Sequence, residues 1–184
     1  RYGGAPDTAM ADGSRIHRMI QRRMGAEYQA EVPLRYLCTT EKYDLLVEGR
    51  ADGIIIEPDG FTVDEIKGTY RDIFRMPEAV PVHLAQARCY ACMKEKEACK
   101  IRIRMTYCNL DTEEIRYFQQ DETFSGLEEW FLDLVGQYRK WADMEFDWKE
   151  KRQASLRALG FPFPYREGQK ELAAGVYRTI CHKR

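Results

Sequence analysis

Residues 49–53 (GRADG) and residues 63–68 (VDEIKG) decide how this sequence folds. Residues 58–60, Pro-Asp-Gly, lie between them and have the residue types of a tight turn, so the two segments are predicted to pair as an antiparallel hairpin. Alternate side chains of a strand point to the same face, which places Glu65 and Lys67 together on one side of the hairpin. The two opposite charges therefore form one unit on that face.

The centre of the turn determines which residue lies opposite Asp52. A turn centred between Pro58 and Asp59 places Asp52 directly opposite Glu65. A turn centred one residue later places Asp52 opposite Lys67, with Glu65 as its diagonal neighbour on the same face. The sequence leaves both registers open, and each of them brings the three charged side chains together.

Two carboxylates that face each other across paired strands repel unless a cation lies between them. The apolar run at residues 54–56, together with Ile66, indicates that this sheet lies inside the fold. Hard oxygen ligands favour Mg²⁺ or Mn²⁺, so the pattern predicts a site for one of these ions. A surface ladder of charges with Lys67 as the counter-ion is the alternative, and spacing alone leaves the two interpretations equally open.

The apolar periodicity along the chain predicts an α/β fold with a mixed sheet. The predicted order is a helix capped by Asp12 or Ser14 that runs to about residue 25, strands 31–38, 43–56 and 61–68, helix 80–96, strands 100–108 and 114–119, and helix 124–151. The strand at 100–108 alternates apolar and basic residues, so Arg102 and Arg104 are expected on a solvated face. The last helix is predicted to bury a stripe of side chains: Leu127, Trp130, Phe131, Leu134, Tyr138 and Trp141.

Composition limits the classes of protein to which this chain can belong. Its 184 residues are 44% hydrophobic and 32% charged, which is typical of a globular protein with one core. No apolar run approaches the roughly 18 residues of a membrane helix and no signal peptide is recognisable, so we expect a cytoplasmic protein with no membrane partner. The net charge of -1 gives no general attraction to nucleic acid, and any DNA contact must come from a local patch.

The order D-G, a hairpin and then D-E-I-K-G resembles the signature of the PD-(D/E)xK nuclease superfamily, with Ala51 where that family often has proline. Residues 86–90 (QARCY) fit the Q-x-x-x-Y motif of its RecB-like branch, and residues 13–17 (GSRIH) resemble the G-x-x-x-H element of that branch. The motifs occur in family order. The resemblance implies a restriction-endonuclease-like fold, a mixed sheet flanked by helices, and a Mg²⁺- or Mn²⁺-dependent deoxyribonuclease with exonuclease action.

The resemblance also implies a role for each matching residue. Asp52 and Glu65 would hold the metal, and His17 and the carbonyl of Ile66 would complete its shell. Lys67 would orient the attacking water and offset charge on the phosphate. The side chains expected to contact DNA lie on and before the second helix: Arg71, Arg75, His83, Gln86, Arg88 and Tyr90.

Gln86 and Tyr90 lie four residues apart and share one helical face. In the family this pair shapes the catalytic site and touches the DNA, and we expect Tyr90 to stack on a base of a single strand or a free end. A catalytically silent module that binds or tethers DNA for a helicase is the alternative function. The intact set of Asp52, Glu65 and Lys67 argues against it. An RNA-processing or restriction-type endonuclease is a third interpretation, disfavoured by the RecB-like Q-x-x-x-Y motif.

Six cysteines in a chain of this length are predicted to be reduced thiols. Some RecB-like nucleases carry a four-cysteine iron–sulfur cluster, for which Cys89, Cys92 and Cys99 are the candidates here. In those proteins one cysteine precedes the histidine motif and three follow the Q-x-x-x-Y helix. No cysteine precedes His17 in this sequence, and Cys89 lies beside Tyr90, so we expect no iron–sulfur cluster.

Residues 161–169 (FPFPYREGQ) resemble the adenine-reading Q motif at the start of XPD/DinG-type superfamily 2 helicases, in which Gln169 would contact the base. No G-x-x-x-x-G-K-[ST] loop occurs in the sequence, so these residues are not expected to bind ATP by themselves. We therefore expect a nuclease domain at residues 1–152, followed at residues 153–184 by a linker and the start of a fused helicase. Residues 161–184 are expected to form a poorly supported helix or an arm that contacts a neighbouring molecule in a crystal.

Overall fold

The structure is a computed structural model that describes residues 6–94, 100–160 and 162–182. Its contacts divide the chain into two compact units, Arg1–Gly136 and Gln137–Arg184. The elements follow in the order α1 (Pro6–Gln21), β1 (Tyr28–Thr39), β2 (Asp44–Glu57), β3 (Gly60–Thr69), α2 (Pro81–Lys94), β4 (Lys100–Asn109), β5 (Ile115–Glu122), α3 (Phe124–Ala158) and α4 (Gln169–His182). A short 3₁₀ turn, Ile73–Arg75, precedes α2.

One five-stranded sheet forms the centre of the first unit, with the strand order β1-β2-β3-β4-β5. β3 and β4 are parallel, and the other neighbouring pairs are antiparallel. Parallel neighbours need a crossover connection, and α2 lies in the connection between β3 and β4. The fold is therefore α/β, with a restriction-endonuclease-like mixed sheet flanked by helices, as predicted from the sequence.

Apolar clusters lie on both faces of this sheet. On one face Val63 of β3 packs with residues of α2 and of the start of α3, such as Phe131. On the other face Ile66 of β3 packs with Ile16 and Ile20 of α1. β3 is thus buried on both sides, which makes it a rigid support for the charged residues that it carries.

The β2–β3 hairpin adopts the first of the two predicted registers. The pairing starts at the two-residue turn 58–59 and continues as far as Gly53 with Asp64. One further step in the same register places Asp52 opposite Glu65. The two carboxylates therefore face each other where the regular pairing of the strands ends.

α1 begins and ends earlier than predicted, at Pro6–Gln21 instead of starting at Asp12 or Ser14 and ending near residue 25. Proline suits the first turn of a helix because its fixed φ is helical and its missing N–H needs no partner there. The G-x-x-x-H element at residues 13–17 consequently lies within one helix. His17 and Gln21 then lie one turn apart on the same face.

The predicted core stripe of α3 is only half correct. Leu127 and Phe131 are buried as predicted, and Val135 continues their line at a spacing of four residues. Several apolar stripes fit this helix equally well, and only the packing against the strands selects one of them. Trp130 is partly buried against the core. The remaining three predicted core residues are exposed by 41, 56 and 65%: Leu134, Tyr138 and Trp141.

The second unit contains the end of α3 and α4. No residue of α4 is buried, and its large apolar side chains are exposed: Leu172, Val176, Tyr177 and Ile180. The segment therefore folds as a helix without a core of its own, as expected from the sequence. None of the described helices is long and apolar enough to cross a membrane.

Candidate metal centre

Asp52 connects α1 with the hairpin. Its Oδ1 lies 3.2 Å from Nδ1 of His17 on α1, and its Oδ2 accepts a 2.8 Å hydrogen bond from the backbone N–H of Ile66 on β3. The hydrogen bond to Asp52 raises the pKa of His17, because it favours the protonated imidazole. The structure thus brings His17, Asp52 and the Ile66 peptide together.

Glu65 is buried, with 1% of the residue exposed. Its Oε1 accepts a 2.7 Å hydrogen bond from Nζ of Lys67, whereas its Oε2 is buried without a hydrogen-bond partner among the described residues. Burial, and then the negative charge of Asp52, raises the pKa of Glu65 to about 7. A buried carboxylate oxygen without a partner is costly unless a proton or a cation meets it.

A chain of hydrogen bonds runs from Lys67 to α2. Nζ of Lys67 donates to Oε1 of Gln86 at 3.0 Å, and Nε2 of Gln86 donates to the hydroxyl of Tyr90 at 3.0 Å. Tyr90 is buried, with 8% of the residue exposed, and its ring lies against the backbone of Gly49, where an added Cβ would collide with it. A ring this deeply buried offers no face to a base, so in this conformation Tyr90 acts by holding Gln86.

Glu31 of β1 is a site residue that the sequence analysis missed. It lies opposite Asp52 in the β1–β2 register, with a φ of 55° that is rare for a residue other than glycine. The amide of Gln21 donates to Oε1 of Glu31 and to the Asp52 carbonyl, each at 2.9 Å, and Arg50 holds Oε2 of Glu31 at 2.8 Å. One ligand atom from each of His17, Glu31 and Asp52 lies within 4.8 Å of the other two.

The signal that would have revealed Glu31 is the register of β1 with β2. That register centres on Glu41 and Lys42, since Thr39 pairs with Asp44. Residues 40–43 are Thr-Glu-Lys-Tyr and contain no glycine, proline or asparagine to mark the centre of a turn. The sequence therefore left the position of Glu31 relative to Asp52 open.

The donor set fits a hard divalent cation. Glu31 and Asp52 offer carboxylate oxygens and His17 an imidazole nitrogen within 4.8 Å of one another, and Glu65 faces Asp52 across the hairpin. Mg²⁺ prefers oxygen ligands with octahedral geometry, and Mn²⁺ also accepts imidazole nitrogen. The buried and unpartnered Oε2 of Glu65 is the oxygen whose desolvation such an ion would offset.

On the opposite face of β3, Asp64 forms a buried polar network. Asp64 is fully buried and accepts two hydrogen bonds from Arg104, at 2.9 and 2.8 Å, one from the Tyr28 hydroxyl at 3.1 Å and one from Thr106. The side chain of Arg104 is only 14% exposed, so the expectation of a solvated face is wrong for this residue. The network fixes β3 between its neighbours immediately behind Glu65.

Gly53 explains why the residue after Asp52 has no side chain. The Tyr28 hydroxyl passes over Gly53 to reach Asp64, and a Cβ at Gly53 would collide with that hydroxyl. The D-G pair thus serves the two faces of the sheet at once. Asp52 enters the candidate metal centre, and Gly53 makes room for the network behind it.

Gly53→Ala is expected to lower the free energy of unfolding by roughly 1–3 kcal/mol, the usual cost of forcing extra atoms into a packed site. The measurement is urea unfolding followed by circular dichroism. Gly136→Ala is the matched control, because a Cβ there meets nothing within 4 Å and alanine is favoured over glycine in a helix by about 0.5–1 kcal/mol. Equal stability of both variants and the wild type would contradict the close approach of Tyr28.

No protein-family model and no curated protein matches this sequence. A solved structure described as "Crystal structure of SSO0001" is similar in fold, with a TM-score of 0.51 and 20% identity over 72% of this chain. The match spans 62% of that chain. At this identity the likeness shows the fold alone, and it agrees with the mixed sheet and flanking helices described above.

The arginines predicted to contact DNA differ in how available they are. Nε of Arg88 lies 2.9 Å from Oε1 of Glu122, and its guanidinium lies 4.8 Å above the Trp130 ring, so its charge is already paired. Arg75 is exposed and lies 3.3 Å from Asp72. Arg71 is exposed, and no side-chain partner of it occurs in the described part of the chain. Their contacts with DNA remain predictions.

His83 is held on α2 by a neighbouring strand. Its Nδ1 lies 3.1 Å from the hydroxyl of Tyr107, which also accepts a hydrogen bond from the N–H of Val80. Burial, and then the positive charge of Lys67, lowers the pKa of His83. The contact of His83 with DNA remains a prediction.

The cysteines and the tail are placed as follows. Cys92 is buried and Cys89 is partly buried in the main core cluster, and Cys99 lies outside the described residues. In the tail Gln169 begins α4 and its Oε1 accepts a 2.9 Å hydrogen bond from the N–H of Arg166. Phe161 of the Q-motif-like segment lies outside the described residues, and the contact of Gln169 with a base stays a prediction.

Proposed function

We propose that this chain is a Mg²⁺- or Mn²⁺-dependent deoxyribonuclease that hydrolyses phosphodiester bonds. The observation that carries the proposal is the buried Oε2 of Glu65, which has no hydrogen-bond partner among the described residues. An ion pair of Glu65 with Lys67 that served structure alone would need no second carboxylate opposite it. The repulsion between Glu65 and Asp52 costs stability, and a bound cation offsets that cost.

Five donors would hold the ion: His17, Glu31, Asp52, Glu65 and the carbonyl of Ile66. When bound, the ion would polarise the phosphate and lower the pKa of a water molecule. His17 would bind as the neutral imidazole, so its proton leaves when the ion arrives. The buried network around Asp64 keeps β3 in place while these charges change.

Lys67 orients the reacting groups. Its ammonium has three hydrogens, of which two are donated to Glu65 at 2.7 Å and to Gln86 at 3.0 Å, so the third is available to a phosphate or a water. In the hydrolysis the water oxygen bonds to phosphorus, the bond to the leaving oxygen breaks, and a proton from the water ends on the leaving oxygen. The charge of Lys67 offsets the negative charge that develops on the phosphate.

The substrate and context are part of the same proposal. The RecB-like motifs favour DNA, as single strands or free ends, and exonuclease action. Residues 161–169 support a fused helicase, and the exposed apolar side chains of α4 leave room for a covering domain. The cysteine usage of the sequence supports a cytoplasmic location.

A cleavage assay tests the proposal. The protein is incubated with Mg²⁺ or Mn²⁺ and with end-labelled single strands, labelled duplexes or closed circles. We expect degradation of the substrates that have ends and no cleavage of the circles. Binding of DNA without cleavage of any substrate by either ion would overturn the nuclease and support the silent tethering module.

Glu31→Gln is expected to weaken Mn²⁺ binding about 10- to 100-fold, a range typical for the loss of a group that supports a metal site. The measurement is isothermal titration calorimetry at pH 7.5. Glu48→Gln is the matched control, because Glu48 is also an exposed β-strand glutamate paired with an arginine, at 3.0 Å from Arg35. Equal Mn²⁺ affinity of both variants would remove Glu31 from the candidate metal centre.

A further inference from the structure

Three arginines without partners line an open cleft beside the end of α1. Arg18, Arg22 and Arg23 are exposed, and the described residues that line the cleft also include Arg15, Met19 and Glu113. Arg15 pairs with Glu113. No hydrogen bond or ion pair of the other three guanidinium groups occurs in the described part of the chain.

This concentration is unusual within the first unit. Arg71 is the only other arginine among its described residues whose side chain has no partner. The rest are bound to carboxylates or to backbone carbonyls: Arg15, Arg35, Arg50, Arg75, Arg88, Arg102, Arg104 and Arg116. In a chain of net charge -1, three of the four unpaired arginines among the described residues of this unit therefore lie within six residues.

The helix α1 contributes residues both to the cleft and to the candidate metal centre. Arg18 and Arg22 directly follow His17 and Gln21, so the two pairs lie about 100° apart around the helix axis. The N–H of Arg22 donates to the carbonyl of Arg18 at 3.1 Å, which keeps the two arginines one helical turn apart. A strand engaged at the metal centre can thus pass round α1 onto the guanidinium groups.

We propose that this cleft binds the sugar–phosphate backbone of a DNA strand whose scissile phosphate lies at the metal centre. The inference rests on the proposed function and adds the path of the strand to it. Guanidinium groups bind phosphate oxygens through paired N–H donors, and three of them accommodate successive phosphates. The helix dipole favours a cation at a C-terminus, but it gives no reason for three arginines on a shared cleft.

The test compares two triple variants with the wild type. Arg18, Arg22 and Arg23 are replaced by alanine in one, and Arg35, Lys42 and Arg102 in the other, so that both lose the same charge. Binding of a labelled single strand is measured by fluorescence anisotropy with Ca²⁺ as the ion, over a series of salt concentrations. We expect the cleft variant to bind about tenfold more weakly or worse, with the slope of log K against log salt reduced by about 2. The control should match the wild type.

A version with Arg18, Arg22 and Arg23 replaced by lysine keeps the charge and guards against a folding defect. It should retain the salt slope and bind more weakly than the wild type, because lysine lacks the paired donors. Wild-type binding by the alanine variant, or an equal loss in the control, would overturn the cleft while leaving the nuclease proposal intact. A wild-type protein that binds no DNA would overturn both.

Discussion

Glu65→Gln is expected to abolish cleavage of DNA while leaving the fold intact. Glutamine keeps the shape of the side chain and can still accept the hydrogen bond from Lys67, but it brings no charge to the ion. The expected loss is at least about a thousandfold, the scale on which removal of one strong electrostatic contribution acts. Asp52→Asn should behave in the same way. Single-turnover cleavage of an end-labelled strand with Mn²⁺ measures the loss.

Two further variants sharpen this result. Lys67→Ala should lose cleavage but retain Mn²⁺ binding in calorimetry, since Lys67 contacts the reacting groups and not the ion. Asp121→Asn removes an exposed carboxylate paired with Arg102 at 2.7 Å, and it should cleave as the wild type does. Wild-type turnover by Glu65→Gln or Asp52→Asn would exclude that residue from the site.

Without metal, the protein is expected to lose stability as the pH rises from about 5 to 8. The pKa of Glu65 is raised from 4.5 to about 7. Ionisation of Glu65 in the folded protein therefore lowers the free energy of unfolding, with no effect below pH 4.5 and the full effect above pH 7. The full effect is on the order of 3 kcal/mol. The pKa of His17 is also raised in the folded protein. The stability from its pairing with Asp52 is therefore fully present below pH 6.5 and is lost as the pH rises through the folded-state pKa. Both groups therefore act in the same direction.

Thermal unfolding in EDTA at several pH values measures this trend. Glu65→Gln should show a shallower loss and exceed the wild type in stability at pH 8, because it removes the carboxylate that must ionise. Mn²⁺ should stabilise the wild type most at pH 8, since the ion binds deprotonated ligands. The same pH dependence in the wild type and in Glu65→Gln would mean that ionisation of Glu65 does not cost stability.

The β2–β3 hairpin shows how much of the fold the local sequence predicts. Residues 58–60 limited β2 and β3 to two registers, and either one brought Asp52, Glu65 and Lys67 together. The structure selected the register with the turn at 58–59. Local turn chemistry is sufficient here because only two residues separate the strands, so few alternatives remain.

Contacts between segments that are distant in the sequence were harder to predict. Arg104 was expected in solvent because it alternates with apolar residues, but Asp64, forty positions earlier in the chain, binds it in the interior. Tyr90 was expected to stack on a base, and it is buried against Gly49. In both cases the side chain has a polar and an apolar part, and its surroundings decide which part is used.

The sequence by itself determined the α/β class, the hairpin and the set Asp52, Glu65 and Lys67, because periodicity and turn residues act over short distances. Only the tertiary structure decided that Glu31 meets His17 and Asp52, and that the neighbouring Arg18, Arg22 and Arg23 are left without side-chain partners among the described residues. Those arrangements depend on strand registers and helix packing that are set by the whole core. They cannot be predicted from residues that are close together in the sequence.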